Sequence, residues 1–197
     1  MKSLYQFIIK PFESRYNNVK KIGDKNLIVN ADISQHSFVS KKAVVVSTPT
    51  AFNSNIKEGD VVYVHHNIFR RWYNIRGEEK DSSSYFMDNL YFANIDQIYM
   101  YNLKCNLNYC FVKPIKNKSY LSCNKEQEHF GILKYSNSQL EALGLKPGDL
   151  VVFTPYSEFE FIVEGERLYC MKSNDIATTH EYEGNEEENN PSWAKSY

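Results

Sequence analysis

Three short blocks recur in this chain in one order. Ile8-Ile9-Lys10-Pro11-Phe12 returns as Phe111-Val112-Lys113-Pro114-Ile115, and Lys57-Glu58-Gly59-Asp60-Val61-Val62 as Lys146-Pro147-Gly148-Asp149-Leu150-Val151. Leu90-Tyr91-Phe92-Ala93-Asn94-Ile95-Asp96-Gln97-Ile98 returns as Leu168-Tyr169-Cys170-Met171-Lys172-Ser173-Asn174-Asp175-Ile176. An ordered repeat turns one large fold into two small ones of the same design, so it constrains the architecture before any single element does.

The spacings show where the copies differ. Pro11 and Asp60 are 49 positions apart and Pro114 and Asp149 are 35 apart, a surplus of 14 in the first copy. Asp60 and Ile98 are 38 apart against 27 for Asp149 and Ile176, a second surplus of 11. Long connections on a compact scaffold are where binding is commonly built.

A length of 197 residues accommodates two domains of this size, each with a modest core, so homo-oligomerisation is an expectation. The formal net charge of -1 argues against a surface that works by neutralising phosphates. Fifteen Tyr and twelve Phe suit an aromatic-rich β protein. No stretch has the apolar length of a signal peptide or a membrane span, so a cytoplasmic protein that does not enter membranes is expected. Cys105, Cys110, Cys123 and Cys170 lack paired C-x-x-C spacing, which points to structural thiols.

Runs of β-branched and aromatic residues bounded by turn residues predict strands at Tyr5–Ile9, Ala43–Ser47, Asp60–His65, Tyr91–Ala93 and Ile98–Tyr101. The second copy predicts Tyr109–Lys113, Gly131–Tyr135, Asp149–Thr154, Phe159–Val163 and Leu168–Met171. A turn or two of helix is expected over Asn137–Gly144, with Ser138 as its cap. Short strands at regular spacing predict an all-β chain of small sandwiches or barrels. The expected organisation is a first domain over 1–104, a shorter one over 105–180 and an acidic, flexible tail over 181–197.

The ordered blocks resemble the GroES co-chaperonin family. Its layout is an apolar-x-Lys-Pro-apolar start, a loop, a hydrophobic strand, Lys-x-Gly-Asp-apolar-Val, and a strand-turn like Leu168-Tyr169-Cys170-Met171-Lys172-Ser173-Asn174-Asp175-Ile176. The likeness spans residues 5 to 180 and implies two tandem GroES-like small β-barrels. In that family a mobile loop after the first block carries an aliphatic patch that docks on a chaperonin ring. The resemblance therefore implies a candidate loop at about 22–38, with Leu27-Ile28-Val29 in the place of the patch. The residues themselves also allow these three to form an edge strand packed on its own barrel. Several weak aliphatic loops displayed on one oligomer would bind tightly through effective concentration and release together. The second copy has Lys116–Phe130 in place of the loop, with Leu121 as its one aliphatic residue, and neither copy has room for a long roof hairpin before Lys-x-Gly-Asp. Tandem organisation also resembles the two-domain co-chaperonins of chloroplasts, and divergent co-chaperonins encoded by bacteriophages are another relative to consider.

The second surplus, at about 65–86, interleaves Phe69, Arg70, Arg71, Trp72 and Tyr73, residue types favoured at interface anchors. Glu78, Glu79 and Asp81 follow and dilute the positive charge, so a protein contact is expected there, with local packing of a long hairpin as the alternative, and nucleic acid is disfavoured. His65 and His66 would point to opposite faces of a strand and so not share a metal ion. No nucleophile elbow, phosphate-cradling glycine loop or H-E-x-x-H is present, so neither an enzyme nor a cofactor is expected. Two functions remain. One is a co-chaperonin-like oligomer capping a chaperonin ring through Leu27-Ile28-Val29 and assisting folding, in the host cytoplasm if the chain is phage-encoded. The other is a structural or assembly protein, for example of a phage particle, whose Phe69–Tyr73 insert grips neighbouring subunits.

Overall fold

The computed structural model describes residues 2–28, 32–33, 35–118, 126–180, 184 and 186–196. The chain divides into two compact units, Met1–Asn102 and Leu103–Tyr197, against the expected boundary at 104/105. It is an all-β chain with antiparallel sheets.

The first unit contains β1 (Phe7–Pro11), β2 (Val19–Ile22), β3 (Lys25–Ile28), β4 (Lys42–Ser47), β5 (Val61–Val64), β6 (Arg71–Tyr73), β7 (Glu79–Asp81), β8 (Tyr85–Met87), β9 (Leu90–Ala93) and β10 (Ile98–Tyr101). Its main sheet runs β8-β9-β1-β4-β5-β10, while β2–β3 and β6–β7 form separate two-stranded sheets. The second unit contains β11 (Lys104–Cys105), β12 (Tyr109–Lys116), β13 (Glu126–Tyr135), α1 (Ser138–Ala142), β14 (Leu150–Phe153), β15 (Phe159–Val163), β16 (Glu166–Lys172) and β17 (Ile176–His180). Its sheet runs β15-β16-β12-β13-β14-β17, the same order with one strand substituted for each of the first.

The correspondence extends to single residues. Pro11 faces Ala43 as Pro114 faces Gly131, and Lys10 faces Val44 as Lys113 faces Ile132. A bulge falls between Ile8 and Ile9 in one unit and between Phe111 and Val112 in the other. The turns before β5 and β14 are built alike. The Asp60 carboxylate accepts from the Lys57 amide at 2.7 Å, and the Asp149 carboxylate accepts from the Lys146 amide at 2.7 Å. Gly59 and Gly148 take φ of +88° and +103° there, where a side chain would be strained.

Strand alternation sets each core. In β4, Ala43, Val45 and Ser47 are buried while Lys42, Val44 and Val46 are more open, the period-two signature of a half-buried strand. Ala43 and Val45 meet Phe7, Ile9, Val62, Val64, Phe69, Tyr91 and Ile98 in the first core. The second is centred on Cys110, Val112, Leu133, Leu140, Val151, Phe153 and Met171. Full burial of one such side chain is worth about 1.5–3 kcal/mol.

Several expectations are corrected. Among the described residues no sheet closes into a barrel; the first carries register shifts at Ile8/Ile9 and Ile98/Met100, the kind of bulge that bends a strand locally. Asn137, not Ser138, caps α1: its Oδ1 accepts from the Gln139 and Leu140 amides at 3.0 and 3.1 Å. The tail is not a free segment where it is described. Glu188 bridges to Ile115, the Lys116 amide donates to Glu187 O at 2.7 Å, and the Asn189 amide donates to Pro114 O at 2.8 Å. Its acidic charge has a specific counter-charge in Lys113, Lys116 and Lys118.

Candidate protein-binding site

The two surplus segments of the first unit fold as two hairpins. In the first, Val19 faces Ile28, Lys20 faces Leu27, Lys21 faces Asn26 and Ile22 faces Lys25. This hairpin is hydrogen-bonded only to itself among the described strands. Every residue of β3 is exposed, with Leu27 at 53% and Ile28 at 64%, so the alternative of an edge strand packed on the core does not fit Leu27 and Ile28. Val29 lies outside the described residues. Directly paired residues share a face, so Ile28 stands beside Val19, itself 52% exposed, and Leu27 stands on the other face. Val19 was missed in the sequence, because its pairing depends on a register that local pattern does not show.

The base of this hairpin is well held. Tyr16 bridges to Val39, the Asn17 amide donates to Phe38 O at 2.8 Å, and the Ser40 amide donates to Arg15 O at 3.0 Å. Phe38 and Ile33 pack against the first core. Exposed apolar residues therefore lie at the open end of the hairpin, beside its anchored root, while the turn at Gly23-Asp24 is polar.

The second hairpin, β6–β7, turns at Asn74–Glu78, where Asn74 Oδ1 accepts from the Arg76 and Glu78 amides at 2.9 and 3.0 Å. The structure separates the five residues expected to make one contact surface. Phe69 is fully buried in the first core and edge-on to Tyr91, so it is a packing residue and not a contact. Arg71 is half-buried, paired with Glu79 at 2.6 Å and stacked over Tyr16 at 5.0 Å. Arg70 is also partly buried. Trp72 and Tyr73 are exposed at 46% and 52%, but as strand neighbours they point to opposite faces. Ile75 at the turn is fully exposed.

Arg15 and Tyr16 tie the two hairpins together. Arg15 donates to Phe69 O at 2.5 Å and Arg70 O at 3.2 Å, pairs with Asp81 at 2.5 Å, and lies over the Tyr91 ring at 5.3 Å. The Tyr16 hydroxyl donates to Ile33 O and accepts from the Arg71 amide, both at 2.8 Å.

The histidines differ from expectation. β5 ends at Val64 and His66 opens a 3-10 turn, so the His65 and His66 rings stack at 4.5 Å instead of diverging. His36, from the segment following the first hairpin, reaches His66 at 5.4 Å. Burial, then His65, Lys41, His36 and Arg70, push the His66 pKa down to about 4, and burial with Lys41 lowers that of His65. Among the described residues no group of three or more His, Cys, Asp and Glu side chains is arranged to hold a metal ion. Burial raises the Cys105 thiol pKa and pushes that of Cys110 up to about 12, keeping both protonated; Cys123 lies outside the described residues. Among the described residues no helix is long and apolar enough to cross a membrane. No family model matches the chain, and no curated protein matches it.

Proposed function

We propose that this is a non-enzymatic, oligomeric protein-binding module, similar in design to a tandem GroES-like co-chaperonin, that docks on a chaperonin ring through the β2–β3 hairpin. The observation that carries this reading is the exposure of Leu27 and Ile28 on a hairpin outside the main sheet and with an anchored base. Exposed aliphatic side chains on a polar hairpin contribute nothing to the core and serve a surface that covers them. Multivalent display would convert weak single contacts into tight, releasable binding. The test is co-sedimentation with a chaperonin ring, with and without ATP, of the wild type and of Leu27→Ser/Ile28→Ser. Nucleotide-dependent binding lost in the variant supports the reading; binding that survives both substitutions, or a folded oligomer that never binds the ring, overturns it.

A second reading rests on Trp72, Tyr73 and Ile75. These are exposed on a hairpin braced by Arg15 and Arg71, as an assembly contact between neighbouring structural subunits, such as those of a phage particle, requires. Trp72→Ala/Ile75→Ser should then shift the oligomeric state measured by light scattering while leaving chaperonin binding unchanged.

A further inference from the structure

The C-terminal segment lies along the end of β12 in extended form, and charge pairs repeat along it. Glu188 meets Lys113 at 2.7 Å, Glu187 meets Lys116 at 2.7 Å and Glu186 meets Lys118 at 2.8 Å. Two backbone hydrogen bonds, from Lys116 to Glu187 and from Asn189 to Pro114, set its register. Asn189 Nδ2 donates to Glu126 at 2.8 Å, and Asn190 Oδ1 accepts from the Arg167 amide at 3.1 Å. The strand end thus reads a short sequence: acidic residues in succession followed by two asparagines.

The Lys116–Glu187 pair is open to water on both sides, at 53% and 75% exposed, whereas Lys118 is 59% exposed against a Glu186 that is 17% exposed; pairs reached by water hold weakly and yield to salt. Trp193 is 47% exposed and Ala194 is buried. Lys113 differs. Its side chain is 5% exposed between Glu166 and Glu188, whereas Lys10 at the same position in the first unit is exposed. Departure of the tail would remove one of the two carboxylates on a buried ammonium, so the vacated groove selects another acidic occupant over a neutral one.

We propose that the β12 end, Lys113–Lys118, is a recognition groove for an extended acidic segment of a partner protein, filled in the free chain by its own tail as an exchangeable stand-in. Recognition adds a strand through the Pro114 carbonyl and the Lys116 amide and reads side-chain carboxylates through Lys113, Lys116 and Lys118. This does not depend on the chaperonin reading, since it concerns the second unit alone.

The probe is a fluorescein-labelled peptide covering residues 184–192, titrated by anisotropy into the intact chain and into intact Glu186→Gln/Glu187→Gln/Glu188→Gln, whose own tail grips less firmly. The peptide should bind the variant at least tenfold more tightly than the wild type, lose binding in high salt, and fail to bind when Lys116→Glu/Lys118→Glu is added. Lys116→Gln provides a milder change at an exposed site, and circular dichroism monitors the fold. No tighter binding by the variant, or equal binding of a peptide with its three glutamates replaced by glutamine, would overturn the proposal. Concentration-dependent dimerisation of the wild type that Lys116→Glu/Lys118→Glu abolishes would assign the groove to the tail of a second copy and overturn it as well.

Discussion

The Tyr16 hydroxyl and the Arg71 amide are 2.8 Å apart, and this contact joins the root of one surplus hairpin to the first strand of the other. The same hydroxyl donates to Ile33 O, so a single side chain positions three segments. Tyr16→Phe removes both bonds and leaves the Arg71 N–H without that acceptor. We expect a loss of about 1–3 kcal/mol in urea denaturation, with faster hydrogen exchange at the Arg71 amide.

Leu27→Ser/Ile28→Ser should leave stability within about 0.5 kcal/mol of wild type, because exposed substitutions away from caps and cores cost little. A large fall in the urea midpoint would show that these side chains pack against something in the folded chain.

His66 supplies a pH dependence. Its folded pKa of about 4 lies below the ordinary value of 6.5, so the unfolded chain binds more protons between those values. Stability therefore rises with pH through that window and is lost as pH falls from about 6.5 to about 4. The ring is partly open to solvent, so the effect is on the order of 1 kcal/mol after screening. His66→Gln should flatten this part of a plot of melting temperature against pH, and an unchanged slope would assign it elsewhere.

Gly131 faces Pro114 as Ala43 faces Pro11, but a methyl group at 131 would meet Val112 Cγ1 at 2.3 Å and the Lys113 carbonyl oxygen at 2.7 Å. Backbone cannot yield as a side-chain tip can, so Gly131→Ala should cost about 1–3 kcal/mol, read from chemical denaturation. A neutral result would show that β12 and β13 separate more easily than their register implies.

Much of the scaffold was legible because its markers are local. The Lys-x-Gly-Asp turns are fixed by an aspartate, a backbone amide and a glycine within four residues, and the paired Leu90 and Leu168 blocks each contain a strand, a 3-10 turn and the start of the next strand. The hairpins were less visible, since β2–β3 and β6–β7 are short and largely polar. Phe69 shows why composition alone misplaces a contact: an aromatic beside arginines reads as an interface anchor, yet the 3-10 turn at His66–Ile68 delivers it to the core. The contacts of the tail were hidden for a related reason. Its glutamates find lysines some 70 positions upstream, a match that a window along the sequence cannot register.

The repeated ladder order bears on how the chain is made. The pairings β1–β4, β4–β5, β5–β10, β1–β9 and β8–β9, which enclose the first core, are all closed by residues up to Tyr101. During synthesis β1 must wait for β9, and β5 for β10, but neither waits for the second half of the chain. The first unit can therefore bury Phe7, Ile9 and Val62 while the second is still emerging from the ribosome, which shortens the time in which two similar sets of strands could pair with each other in error.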